Sequence, residues 1–214
     1  MKAVLFDLDG TLLDTLADLA NATNYSLEKL GFPRRSVKEI RAFVGNGVVR
    51  LLAQALPDDK KDAIDTILPI YNEYYASHSE IETRPYDGVL PLLDRLREEG
   101  YGLAVISNKP DFAVQTLAKK YFPAIEFSVG EREGIRRKPF TDSIEEAIRQ
   151  LGADRDEVLF VGDSEVDVET AVNAKLPCVA MTWGFRDRDE LIQCGAEHLA
   201  DTADELYALI HELI

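Results

Sequence analysis

Two carboxylates and a glycine directly follow an apolar run at the start of the chain, MKAVLFDLDGTLLDT, where Asp7 and Asp9 close a β-forming stretch. A strand interior does not bury two like charges cheaply, since an unpaired buried carboxylate is strongly penalised or takes up a proton. The two acids therefore belong at a strand end with something positive beside them. Other apolar runs close in the same way. GLAVISN at 102–108 ends in Ser107 and Asn108, followed by Lys109. EVLFVGD at 157–163 ends in Gly162 and Asp163, followed by Ser164, with Asp167 one helical turn on. Lys138 stands before Pro139 in the loop-like GIRRKPF. Ligands of open parallel sheets gather beyond the carboxyl ends of the strands, which collects these groups on one rim.

The chemistry such a rim supports is phosphoryl transfer. Three converging carboxylates repel unless a divalent cation joins them, and Mg²⁺ suits oxygen ligands with one or two carboxylates, waters and a substrate phosphate. Lys138 is the positive group able to pair with Asp7 and a phosphate oxygen. A carboxylate attacking a dianionic phosphate needs the mutual repulsion removed, which a metal and a lysine provide. Asp9 is two residues from Asp7, and an extended segment turns both carboxylates to the same side.

The elements that must position these residues alternate. Strands are expected at 3–9, 102–108, 125–130, 157–163 and 177–184, with a weak sixth near 197–200. Each is short and rich in Val, Ile, Phe or Leu, as strands covered on both faces are. Helical periodicity fills 88–100, 111–122 and 143–152, and a helix around ADELYALIHELI closes the chain. Strand–helix alternation predicts βαβ units, an α/β fold with a Rossmann-like parallel sheet. From about residue 16 to residue 80 only helix-like patterns occur, the first stopping at Gly31. This predicts an inserted α-helical cap at 16–80 on a core of 1–15 and 81–214. Connectors near 13–16 and 79–86 would serve as its hinge.

Four segments in order resemble the motifs of the haloacid dehalogenase-like phosphohydrolase superfamily: Asp7-Leu8-Asp9-Gly10-Thr11, Ser107-Asn108, Lys138-Pro139, and Gly162-Asp163-Ser164 with Asp167. The resemblance implies that Asp7 is a nucleophile forming an aspartyl-phosphate and that Asp9 protonates the leaving oxygen and then activates water. It implies Mg²⁺ bound by Asp7, the main-chain carbonyl of Asp9 and Asp163, with Asp167 ligating directly or through water. Ser107 and Asn108 would bind phosphoryl oxygens, and Lys138 would neutralise charge. Thr11, in the same loop, is counted with the substrate-binding residues, although its expected part is to support the loop by hydrogen bonds.

Within the superfamily, FVGNGV, VISNKP, GIRRKP, VGDSEVDVETAVNA and MTWGF are most similar to phosphoglycolate phosphatases. Gly45, Asn46 and Gly47 before a helix can offer main-chain N–H groups to an anion. With Arg50 one turn later, they are expected to read the glycolate end of a substrate. Two departures stand out: Lys175-Leu176 replaces the usual Ala-Gly, and KPFTDS lacks a second proline. A lysine forced into left-handed geometry at a helix end would cost roughly 1 kcal/mol. Phosphatases for pyrophosphate, nucleotides or sugar phosphates, and a β-phosphoglucomutase, share the same motifs. A signalling receiver has a similar acid, hydroxyl and lysine set, but is much shorter and accepts phosphate at its third strand, where IEFSVG has no aspartate.

Bulk properties agree with this reading. The chain has 214 residues, 46% hydrophobic and 29% charged, with a net charge of −15. That charge opposes nucleic acid and anionic membranes as partners but is compatible with a small anionic substrate; the resemblance implies a small phosphorylated metabolite, with the chain a monomer or homodimer. Two cysteines, Cys178 and Cys194, make no disulfide framework. No signal peptide or membrane span is evident, so a cytoplasmic location is expected. His78, His198 and His211 lack metal-ligand spacing.

Overall fold

The computed structural model describes residues 1–214. Chain order begins with strand β1 (Ala3–Phe6) and a two-residue strand β2 (Leu13–Asp14). Helices α1 (Leu16–Lys29), α2 (Val37–Phe43), α3 (Val48–Ala55) and α4 (Ile64–His78) follow before the chain returns through β3 (Arg84–Pro85). Alternation then sets in: α5 (Val89–Glu98), β4 (Gly102–Pro110), α6 (Asp111–Tyr121), β5 (Phe127–Glu131) and α7 (Asp142–Leu151). It continues with β6 (Val158–Gly162), α8 (Glu165–Ala174), β7 (Cys178–Met181), α9 (Arg188–Gln193), β8 (His198–Ala200) and α10 (Ala203–Leu213).

Six strands form a parallel sheet in the order β5-β4-β1-β6-β7-β8. The chain leaves β1 toward β4 and β5 and later returns to its other side at β6, so β1 sits at the reversal point. Strand alternation builds both faces. Val4 and Phe6 point into one apolar layer with Leu93 and Leu96 of α5 and Leu206 and Ile210 of α10. Ala3 and Leu5 point into the other, with Ile144 and Ala147 of α7 and Ala171 and Ala174 of α8. Each buried Leu, Ile or Phe contributes about 1.5–3 kcal/mol of transfer free energy. That favours a sheet whose central strands keep polar residues to their carboxyl ends, as β4 does with Ser107, Asn108 and Lys109.

Helices α1 to α4 enclose an apolar cluster of their own, with Leu27, Ile40, Leu52, Leu56 and Ile67 at its centre. The cluster reaches across to Ala113 of α6 and to Phe185. Local chemistry sets the helix ends. Ser36 caps α2 reciprocally with Glu39, and Gly31 takes the positive φ of +72° after α1.

All six expected strands are present with shifted ends, and β4 runs two residues further than expected, to Pro110. The first stops at Phe6 rather than residue 9, and the run at 177–184 stops at Met181. In the connectors, Leu13 pairs with Pro85 and Asp14 with Arg84 as an antiparallel ribbon, and α9 adds a helix; neither was anticipated. Lys175 adopts φ 57° at the end of α8, the only non-glycine residue with positive φ, as its departure from the glycine pattern implied.

Candidate active site

Asp7 is the first residue past β1. Its N–H donates to Val161 O at 2.8 Å, extending the pairing with β6 by one residue. The chain then folds sharply: Leu8 O accepts from the N–H groups of Thr11, Leu12 and Leu13, and Gly10 N–H donates to Leu13 O. The turn begins at Leu8, and Asp7 and Asp9 line the same cleft. Their carboxylates nonetheless meet different cations.

Lys138 Nζ lies 2.8 Å from Asp7 Oδ1 and 2.6 Å from Asp167 Oδ1, with the lysine 2% exposed. Burial, the largest influence on Asp7, pushes its carboxyl up to about 7, helped by Asp167 and Asp9 and opposed by Lys138. Asp163 is raised well above the usual carboxylate range for the same reason, burial first and then the Asp167 and Asp7 charges. Burial alone would lower Lys138, but the facing Asp167 and Asp7 carboxylates outweigh it and hold the ammonium above its ordinary value. The floor of the site is therefore short of positive charge.

Ligand oxygens of Asp7, Asp163 and Asp167 all lie within 4.8 Å of one another. Asp7 Oδ1 is buried and makes no well-aligned hydrogen bond despite its nearness to Lys138. Three carboxylates facing one ammonium, with an under-satisfied buried oxygen among them, fit a hard divalent cation. Asp163 is held from both sides: Thr11 Oγ1 donates to Oδ1 at 3.1 Å and Phe185 N–H to Oδ2 at 2.7 Å. A Cβ on Gly10 or Gly184 would come within 2.4 Å of an Asp163 carboxylate oxygen, so only glycine lets both turns close around it. Asp167 Oδ2 accepts from Asp163 N–H, Ser164 N–H and Ser164 Oγ, and Oδ1 takes Lys138. Both its oxygens are already engaged.

Asp9 faces Lys109, whose Nζ is 2.9 Å from each carboxylate oxygen. The same ammonium lies 4.7 Å from the centre of the Tyr75 ring on α4. Asp9's carboxylate is outside the three-acid cluster, so any part Asp9 has in holding a metal falls to its main-chain carbonyl. Above the acids, the helical layer supplies an apolar wall that includes Leu19, Val48, Leu51, Tyr71 and Tyr75.

Several expected binding residues sit differently from the expectation. Asn108 donates to Gly45 O and Lys138 O and accepts from Lys138 N–H at 2.7 Å. Its amide is spent on tying the Lys138 loop and the Gly45 turn to β4, which leaves no side-chain donor for a phosphate. Thr11 is 1% exposed and holds Asp163, so its side chain supports the site rather than facing a substrate. Ser107 lines the cleft, and its Oγ accepts from Lys109 N–H at 3.3 Å. Gly45 and Gly47 line the cleft too, whereas Asn46 does not. Arg50 is exposed on α3 and absent from the lining, because the helix turns its side chain to solvent.

Across the seam, Arg186 donates to Val44 O at 2.8 Å and Arg41 O at 3.3 Å while pairing with Glu165 at 2.6 Å. Arg41 reaches back to Gly184 O and Asp187. The sequence pattern gives no role to Lys109, which it places after Asn108, and does not single out Tyr71, Tyr75, Arg41 or Arg186. Lys109 carried a usable signal, since it is two residues past Ser107 on a strand and so shares its face. The tyrosines recur at helical spacing, which reads as core.

A model of the haloacid dehalogenase-like hydrolases matches residues 4–181. Phosphoglycolate phosphatase of Mesorhizobium japonicum is 34% identical over 194 residues, covering 86% of this chain and 84% of that one. The phosphoglycolate phosphatase of Neisseria meningitidis serogroup A is 34% identical over 203 residues, with coverage of 92% and 86%. A crystal structure from Lactobacillus delbrueckii subsp. bulgaricus superimposes with a TM-score of 0.92 at 38% identity, covering 98% of this chain and 99% of that one.

Proposed function

The chain belongs to the haloacid dehalogenase-like hydrolases and is a phosphatase, and from that premise we propose that it hydrolyses 2-phosphoglycolate to glycolate and phosphate through an aspartyl-phosphate on Asp7. The observation that carries the chemistry is Lys138 Nζ within 2.8 Å of Asp7 and 2.6 Å of Asp167, beside Asp163. The small substrate is supported by relatives bearing that name over most of their length.

In this reading Asp7, the Asp9 carbonyl and Asp163 would hold Mg²⁺, and Asp167, whose two oxygens already accept hydrogen bonds, would add its negative charge to the site. When bound, the metal neutralises phosphoryl charge and polarises a phosphoryl oxygen. An Asp7 oxygen attacks phosphorus as the ester P–O bond breaks, and the leaving oxygen takes a proton from Asp9. Asp9 then accepts a proton from water as that water attacks the aspartyl-phosphate, releasing phosphate and restoring Asp7. Lys138 spreads the charge of the equatorial oxygens. Ser107 offers its hydroxyl proton to the phosphoryl group, and main-chain N–H groups near Gly45 and Gly47 face the other end of the substrate.

Residues 16–80 act as the cap on a core formed by 1–15 and 81–214. The β2–β3 ribbon is the hinge, and closure keeps bulk water from the intermediate. The experiment is turnover of a phosphomonoester panel by wild type and Asp7→Asn. We expect 2-phosphoglycolate to give the highest kcat/KM and Asp7→Asn to lower kcat by about 10⁴-fold. Near wild-type turnover by Asp7→Asn would remove the nucleophile, and a better substrate elsewhere in the panel would replace the glycolate ester.

A further inference from the structure

Tyr75 is the fourth residue from the end of α4, inside the helical layer and lining the cleft opposite the acids. It is 1% exposed and lines the cleft together with Asp9 and Lys109. Its hydroxyl is buried with no hydrogen-bond partner. Buried phenol O–H groups in folded proteins find acceptors, and an orphaned one costs the full desolvation of the group. Its ring has work of its own, stacking on Tyr71 at 5.3 Å and covering the Lys109 ammonium at 4.7 Å. Phenylalanine would do all of that without the penalty. The oxygen is thus the part the fold leaves unexplained.

What lies around it limits the missing partner. The cleft wall that Tyr75 belongs to is largely apolar, with Leu19, Val48 and Leu51 in the lining beside Tyr71. Lys109 is the only cationic side chain in that lining, and it stands between the Tyr75 ring and Asp9. The Lys109 ammonium is already engaged by both Asp9 oxygens, which leaves the Tyr75 hydroxyl as the buried donor still without an acceptor. A leaving group with no acceptor oxygen would leave the hydroxyl unanswered.

We propose that the Tyr75 hydroxyl is the specificity-determining contact that receives the carboxylate of the substrate's leaving group. This rests on the glycolate-ester reading above and supplies its recognition element from α4, distinct from the Gly45–Gly47 turn. The substrate class it selects is a phosphomonoester of a short 2-hydroxy acid. Esters of the same length without the carboxylate are discriminated against because a buried donor stays unpaired in their complex.

The test compares kcat/KM for 2-phosphoglycolate with that for ethyl phosphate, its counterpart lacking the carboxylate, in wild type and Tyr75→Phe. A hydrogen bond to a charged group predicts that the phosphoglycolate-to-ethyl phosphate ratio falls by about 10–100-fold in the variant. The fall should appear in KM for the glycolate ester. The melting temperature of Tyr75→Phe without substrate should equal or exceed that of wild type, since the fold gives the hydroxyl no partner. A ratio unchanged by the substitution, in a wild type that does prefer phosphoglycolate, overturns the assignment of Tyr75 alone. A wild type with no such preference overturns the glycolate-ester reading along with it. A melting temperature several degrees below wild type would show that the hydroxyl is a structural group and would equally overturn the assignment.

Discussion

Lys109 Nζ lies 2.9 Å from both carboxylate oxygens of Asp9, while Lys138 Nζ lies 2.8 Å from Asp7. Two acids separated by one residue are thus served by two lysines from different elements, Lys109 at the end of β4 and Lys138 in the loop before α7. The turn at Leu8 is what parts them, since its carbonyl gathers three N–H groups and ends the strand.

Because Lys109 grips both oxygens, it fixes the direction in which Asp9 points. Lys109→Met keeps the stem that packs under Tyr75 and removes the ammonium. We expect kcat to fall by about 100-fold from lost positioning, with far-UV circular dichroism unchanged. A kcat close to wild type would show that Asp9 is aimed by something else.

The three-acid cluster predicts a metal-linked stability change. Asp7, Asp163 and Asp167 crowd within 4.8 Å around a single ammonium, so a divalent cation relieves repulsion in the folded chain only. At Mg²⁺ about 100-fold above its dissociation constant, the linkage amounts to about 2.7 kcal/mol, or roughly 5–10 °C for a chain of this size. Chelation should abolish activity and return the melting temperature to its metal-free value. Asp163→Asn should lose most of the Mg²⁺-dependent rise. Identical melting curves for wild type with Mg²⁺ and with chelator would contradict the cluster's role.

Arg186 and Arg41 bind the helical layer to the sheet side of the cleft through four contacts with Val44, Arg41, Gly184 and Asp187. Loosening them favours the open cleft. For Arg186→Met we expect kcat/KM to drop by about tenfold, mainly through KM, with faster proteolysis in the connectors near 13–16 and 79–86. Unaltered KM and proteolysis would mean that the seam is held elsewhere.

Lys175 occupies left-handed geometry at φ 57° and ψ 43°. Lys175→Gly should raise stability by about 1 kcal/mol, read as a shifted denaturation midpoint at constant slope. Turnover should not change, since the residue is exposed at the far end of α8 from Asp163. A less stable variant would show that the lysine makes a compensating interaction.

Much of this molecule was written in local order. Apolar runs of strand length ending in Asp7, Ser107 and Asp163 announced both the parallel sheet and its functional rim. The reason is that strands buried on both faces can place polar residues only at their ends. The absence of any β pattern between 16 and 80 likewise announced helices. Lys175 announced its own strain, because backbone conformation at a helix end depends on a single residue.

Only the tertiary structure decided how the rim is wired. Whether Asn108 faces a phosphate or the Lys138 backbone, whether Arg50 enters the cleft, and which lysine serves which acid all depend on contacts between residues 30 to 145 positions apart. Hydrophobic periodicity specifies which face of an element is buried, and carries no record of what lies opposite. Tyr75 shows the limit most plainly: its spacing on α4 reads as core, and only the packed chain reveals that its oxygen has nothing to bond.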